Sequence, residues 1–194
     1  MTWLTIPNLF TALRIFMTPV ILYTLANGRF LLSGWIFGFA ALTDMLDGTV
    51  ARRFGGMTKF GAYLDPIADK CLLSGIYIGL AAGHAVPLWL VLLIFGRDLW
   101  ILSMSAIAFR FTSYRKFDPS HWGKASTFLQ IMTAIGVMGA RGYDDAVLSQ
   151  ICNWMIAGVT LLVFVSAGEY TWRGVVWLRA GADVRQIDLK PAGE

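Results

Sequence analysis

Between Asp44 and Asp69 the chain sets four carboxylates, Asp44, Asp47, Asp65 and Asp69, among largely apolar residues. Asp44, Asp47, Gly48, Ala51 and Arg52 follow spacings of three and four, so a helix shows them along one broad face. Gly61, Asp65 and Asp69 recur every fourth residue and stack on one stripe of the next helix. If the two helices pack antiparallel, the four carboxylates converge. So much negative charge in an apolar setting is costly unless it is compensated. Pairing with Arg52, Arg53 or Lys70 is the plain reading, but four carboxylates outnumber those partners. One or two divalent cations would resolve the charge. With no His or Cys among the four, the ligand set favours a hard cation, Mg²⁺ or Mn²⁺. Two such ions about 3.5–4 Å apart would suit phosphoryl transfer.

The neighbours of the aspartates fit the same chemistry, though each has a simpler explanation. Gly48, Ala51 and Gly61 are the small residues that close helix packing uses. Arg52 could be a positive anchor at the membrane edge. It also lies about 12 Å along a helix from Asp44, a reach suited to a diphosphate whose far oxygens a guanidinium would bind bidentately.

The elements that hold these residues are membrane helices. The 194 residues are 57% hydrophobic and only 14% charged, with a mean hydropathy of +0.62. Several apolar runs reach the roughly 20 residues that cross a hydrocarbon core of about 30 Å. The runs are continuous rather than alternating, which argues against a β-barrel. The expected fold is all-α, a polytopic membrane protein with six transmembrane helices and a short N-terminal interfacial segment over 1–9. The helices are predicted at 10–26, 31–53, 60–82, 87–109, 121–140 and 147–168. Asn27-Gly28, Phe54-Gly55-Gly56 and Gly83-His84 mark turns. Residues 1–172 form the membrane domain and 173–194 a cytoplasmic tail, beginning as an amphipathic surface helix.

Loop charges orient the chain. Arg52, Arg53 and Lys59 lie between helices two and three, and Arg110, Arg115, Lys116 and Lys124 between four and five. Arg173, Arg179, Arg185 and Lys190 follow in the tail, whereas only Arg29 and Arg141 fall on the other side. Both ends are therefore cytoplasmic, and the aspartates sit just beneath the cytoplasmic interface. A lipid with a polar headgroup could reach them sideways. The net charge of +4 comes with no long free basic patch, so a nucleic-acid partner is not expected. Cys71 and Cys152 read as small buried packing residues, His84 and His121 as loop-edge residues without chemistry. Arg14 and Pro19 interrupt the first apolar run, which does not look like a cleavable leader.

The series Asp44-x-x-Asp47-Gly48-x-x-Ala51-Arg52, eight residues, then Gly61-x-x-x-Asp65-x-x-x-Asp69 resembles the full signature of the CDP-alcohol phosphatidyltransferases. That resemblance implies a metal set of Asp44, Asp47, Asp65 and Asp69, with Asp69 also the general base. It implies that Gly48, Ala51 and Gly61 leave room for a cytidine nucleotide and that Thr58 contacts the CDP-lipid. Pro7-Asn8-x-x-Thr11-x-x-Arg14 resembles the opening of phosphatidylglycerophosphate synthases, although Asn8 or Thr11 would serve equally as a helix cap. Gly123-Lys124-x-x-Thr127-x-x-Gln130 resembles a further element of that subgroup, with Lys124 available to an acceptor phosphate. Arg97 either pairs structurally with Asp98 or lines the acceptor pocket.

The implied reaction is CDP-diacylglycerol plus a polar alcohol giving a phosphatidyl lipid plus CMP. Glycerol 3-phosphate is the favoured acceptor. Phosphatidylglycerol is the alternative, because Arg97-Asp98 and Pro119 look more like a CDP-alcohol-type cardiolipin synthase. The family commonly forms homodimers. From another class, a small ion transporter could use the carboxylates as a relay. A membrane prenyltransferase would want a second Asp-rich motif and a longer chain.

Overall fold

The computed structural model describes residues 6–41, 59–111 and 120–188, and every regular element among them is an α-helix. These are α1 (Ile6–Ala26), α2 (Phe30–Ala41), α3 (Lys59–Ala82), α4 (Leu88–Phe111), α5 (His121–Tyr143) and α6 (Ala146–Asp188). Two expectations are corrected. Helix α1 starts at Ile6, so residues 6–9 of the segment expected to lie apart before it belong to its first turn. Pro7 falls there, where its missing N–H would have had no helical acceptor. Helix α6 runs unbroken for 43 residues through Gly168, joining the expected sixth span to the expected surface helix. A helical glycine costs only about 1 kcal/mol relative to alanine, which is too little to end a helix with so much else in its favour.

Three helix exits use one device, a residue in the left-handed region just past the last turn. After α1 it is Gly28, at φ +72°. The Gly28 N–H donates to Leu25 O (3.0 Å) and the Arg29 N–H to Thr24 O (2.9 Å), the paired bonds of a Schellman motif. His84, at φ +54°, repeats both after α3: its own N–H reaches Ala81 O (3.0 Å) and that of Ala85 reaches Leu80 O (2.8 Å). Asp144 ends α5 at φ +54°, and the Asp145 N–H reaches Ala140 O (3.0 Å). Asp145 then caps α6, its Oδ1 accepting from the Leu148 N–H at 3.0 Å.

The chain divides into two units, Met1–Val91 with Ile131–Trp154, and Leu92–Gln130 with Met155–Glu194. In the first, α1 and α3 pack parallel through a stripe of Gly75, Gly79 and Gly83. A Cβ at Gly79 would lie 2.8 Å from Leu25 Cβ, and one at Gly83 would lie 2.5 Å from the Leu25 carbonyl oxygen. Helix α2 turns back on α1, and the buried Ser33 hydroxyl donates to Thr24 Oγ1 at 2.7 Å. Ile21, Leu25, Ile76, Tyr77 and Leu80 form the buried core between them.

The outer faces are apolar. Phe16, Trp35, Trp154 and Trp172 are each more than 70% exposed, a surface that water does not favour and lipid does. Among the described residues, Ala146–Val176 is the stretch long and apolar enough to cross a bilayer, and Leu13–Ala26 and Phe30–Ala41 are shorter apolar helices. Cys71, expected to be buried, is exposed on α3, whereas Cys152 is buried.

Candidate active site

Asp69 lies three turns into α3, where α3 meets α1. Arg14 of α1 donates from Nη1 to Asp69 Oδ1, closing an ion pair across the two helices. The Arg14 side chain is 5% exposed and that of Asp69 is 59% exposed. The carboxylate is thus open to a substrate while its cationic partner is enclosed. Thr18, one turn on from Arg14, donates its hydroxyl to the Arg14 carbonyl at 2.9 Å. Beside it a Cβ at Gly75 would come 2.6 Å from Thr18 Cγ2. Close helix contact, which only small residues permit, therefore brings Arg14 within reach of Asp69.

Of the other expected site residues, Asp65 and Gly61 fall in the first two turns of α3, and Asn8 and Thr11 in the first two turns of α1. Asp65 precedes Asp69 by one turn along the helix. Asp44, Asp47, Gly48, Ala51, Arg52 and Thr58 lie outside the described residues. Among the described residues, no three of His, Cys, Asp and Glu come together. The fit to a cation therefore rests on donor chemistry: Asp65 and Asp69 on α3, with Asp44 and Asp47 preceding it in sequence, are all hard oxygen ligands.

The second unit holds the other expected residues. Arg97 of α4 has a side chain only 9% exposed. Its Nε donates to Ser166 Oγ of α6 at 2.8 Å and its Nη1 to Asp98 Oδ1 at 2.9 Å. The expected Arg97–Asp98 ion pair is present, and it leaves Nη2 facing Gly123 of α5, where a Cβ would come 3.1 Å from that nitrogen. Lys124 is exposed in the first turn of α5, with its N–H bonded to Ser120 O at 3.1 Å. Thr127 donates its hydroxyl to Gly123 O at 3.2 Å, and the buried Gln130 donates to Ser126 Oγ at 3.2 Å, so both serve the helix locally.

From the sequence Arg14 is named only in the opening motif and as an interruption of the first apolar run, with no pairing to Asp69 expected. Arg14 was legible: an ionisable residue inside an apolar run marks a site by default. The spacing of four among Gly75, Gly79 and Gly83 was an equally available sign of close packing. Ser120, Glu169 and Tyr170, which meet at the start of α5, carry no such sign.

A helical chain with apolar outer faces and an enclosed, ion-paired arginine belongs among membrane-bound proteins. Residues 4–166 match CDP-alcohol phosphatidyltransferase, and the chain belongs to that family. It is similar to the CDP-diacylglycerol–glycerol-3-phosphate 3-phosphatidyltransferase of Pseudomonas fluorescens, 31% identical over 90% of this chain and 89% of that one. It is also similar to a probable phosphatidylglycerophosphate synthase of Mycobacterium tuberculosis, 39% identical over 67% of this chain and 63% of the relative. A probable CMP-forming cardiolipin synthase of Drosophila melanogaster is 36% identical over 61% of this chain. The match covers only 39% of that fly protein.

Proposed function

We propose that this protein transfers the phosphatidyl group from CDP-diacylglycerol to glycerol 3-phosphate, giving phosphatidylglycerophosphate and CMP. The observation that carries this reading is the end-to-end likeness to the Pseudomonas enzyme named for that donor and acceptor, over 90% of this chain. The acceptor hydroxyl gives its proton to Asp69 as its oxygen attacks the lipid-side phosphorus, and the bond from that phosphorus to CMP breaks. An alcohol is a poor nucleophile until its proton leaves, and the exposed carboxylate of Asp69 is open to it. Arg14 holds that carboxylate in one orientation. Asp44, Asp47 and Asp65 would hold Mg²⁺ or Mn²⁺ together with Asp69. Bound cations there would supply positive charge to the diphosphate and to the departing CMP.

Arg52 and Thr58 serve the CDP-lipid, and Gly48, Ala51 and Gly61 leave space for its nucleotide. Arg97 and Lys124 bind the acceptor's phosphate, and Asn8 and Thr11 belong to the substrate-facing start of α1. The chain crosses the bilayer six times as a multi-pass protein, takes its donor from the surrounding lipid, works at the cytoplasmic face and assembles as a homodimer. The positive charge of the expected cytoplasmic loops supports that orientation.

A second reading has its own support. Relatives named CMP-forming cardiolipin synthase, and Asp98 directly after Arg97, favour phosphatidylglycerol as acceptor. Family membership favours either transferase over an ion-conducting carboxylate relay. Purified protein in detergent, given CDP-diacylglycerol and each acceptor in turn, is expected to release CMP fastest with glycerol 3-phosphate. Turnover with phosphatidylglycerol alone would move the assignment to the second reading, and none with either would end both.

A further inference from the structure

The start of α5 is tied to α6 by two bonds that the reaction above does not use. Ser120, 1% exposed, caps α5 by accepting the Gly123 N–H on its hydroxyl oxygen at 3.2 Å. The same hydroxyl donates to Glu169 Oε2, and the Ser120 N–H donates to the Tyr170 hydroxyl at 3.2 Å. Glu169 is itself matched by Arg173 (2.5 Å), and Asp98 by Arg97 (2.9 Å). Each carboxylate of the cluster thus has its own arginine. Lys124 and the amino terminus of α5 add positive character that no carboxylate in the cluster balances. The second pointer to a ligand is Arg97. Nine-tenths buried, it spends Nε and Nη1 on Ser166 and Asp98 and leaves Nη2 with no partner among the described residues. That nitrogen packs against Gly123, where a Cβ would come 3.1 Å from it and 3.6 Å from the Tyr170 ring.

We propose that Glu169 and Tyr170 are positioning residues for the acceptor: by clamping the first turn of α5, they hold Gly123 and Lys124 against Arg97, so that this turn takes the acceptor's phosphate group. The proposal rests on the acceptor reading given above. It goes further in naming α6 as the element that sets acceptor affinity through contacts the acceptor never touches. Glycerol 3-phosphate presents a phosphomonoester and phosphatidylglycerol a phosphodiester, and both acceptors belong in the test.

The test compares wild-type protein with Tyr170→Phe, Glu169→Gln and Gly123→Ala in detergent. It follows KM for each acceptor, KM for CDP-diacylglycerol, and hydrogen–deuterium exchange over 120–124. Tyr170→Phe keeps the ring and removes one hydrogen bond. It is expected to raise the acceptor KM roughly fivefold with the donor KM unchanged, and to speed exchange at the start of α5. Glu169→Gln should act in the same direction. Gly123→Ala puts a Cβ 3.1 Å from Arg97 Nη2, pushes that nitrogen aside, and should raise the acceptor KM without faster exchange. Exchange unchanged in both α6 variants, or donor and acceptor KM rising together, would overturn the proposal. Failure of the underlying reading is distinct: wild-type protein would then release no CMP with either acceptor, which also ends the phosphate role assigned to this turn.

Discussion

Arg14 and Asp69, 55 residues apart in sequence, meet as an ion pair with its cation enclosed and its anion open. The unequal exposure makes their variants unequal. Asp69→Asn leaves a guanidinium inside the α1–α3 contact without this carboxylate and is expected to cost about 1–3 kcal/mol of stability. Arg14→Gln removes the enclosed charge and should cost less. It frees the carboxylate to turn, however, and should lower kcat about tenfold or more. Asp69→Asn should abolish CMP release. Melting in detergent beside CMP-release kinetics checks both halves. Wild-type turnover by the Asn variant would remove Asp69 as the base.

Metal removal gives a prediction that rests on the carboxylate set. Dialysis against a chelator is expected to stop CMP release, and Mg²⁺ or Mn²⁺ should restore it, because Asp44, Asp47, Asp65 and Asp69 offer only hard oxygen donors. Zn²⁺ should restore it poorly, since no His or Cys ligand accompanies them. Full activity in the chelator would dismiss a metal-assisted transfer.

The glycine stripe predicts a contrast. Gly83→Ala would put a Cβ 2.5 Å from the Leu25 carbonyl oxygen, a backbone atom that cannot rotate away. It should destabilise by about 1–3 kcal/mol. Gly38→Ala meets nothing within 4 Å and replaces a helical glycine, so it should be neutral or stabilising by up to about 1 kcal/mol. Unfolding midpoints of the two variants side by side decide whether close approach, rather than glycine content, matters here.

His84 invites the reverse change. It holds a left-handed conformation, φ +54°, that costs a side chain roughly 1–2 kcal/mol and glycine little. His84→Gly keeps the backbone bonds of the turn and should stabilise by about 0.5–1 kcal/mol after the added freedom of the unfolded chain is subtracted. A lower melting point would mean that the imidazole itself holds the turn.

How far the sequence reached depended on the range of the interaction. The Asp65–Asp69 spacing, the Asn27-Gly28 turn and the helical spans are local, and a period or a glycine announces them. The start of α1 was misplaced because Pro7 reads as a break, although a first-turn proline leaves no bond unmade. Glycine at position 168 likewise suggested an end to α6 that its neighbours override. Contacts between distant segments left no trace: Ser120 and Glu169 are 49 residues apart and nothing in either neighbourhood names the other. Cys71 was read as buried from its apolar surroundings, yet in a membrane protein an apolar helix face can look outward, so hydrophobicity alone does not separate core from lipid. The expected ligands Asp44 and Asp47 lie outside the described residues, and their convergence with Asp69 stands as a proposal.

The enclosed guanidinium also bears on how the protein is made. In the multi-pass reading, α1 would leave the ribosome carrying a permanent cation near its midpoint, at a penalty of about 2.5–3.5 kcal/mol for a helix alone in lipid. The carboxylate that answers it is synthesised 55 residues later. The first helix would then gain a settled place in the bilayer only after the third arrives, and biogenesis would handle the opening helices together rather than one at a time.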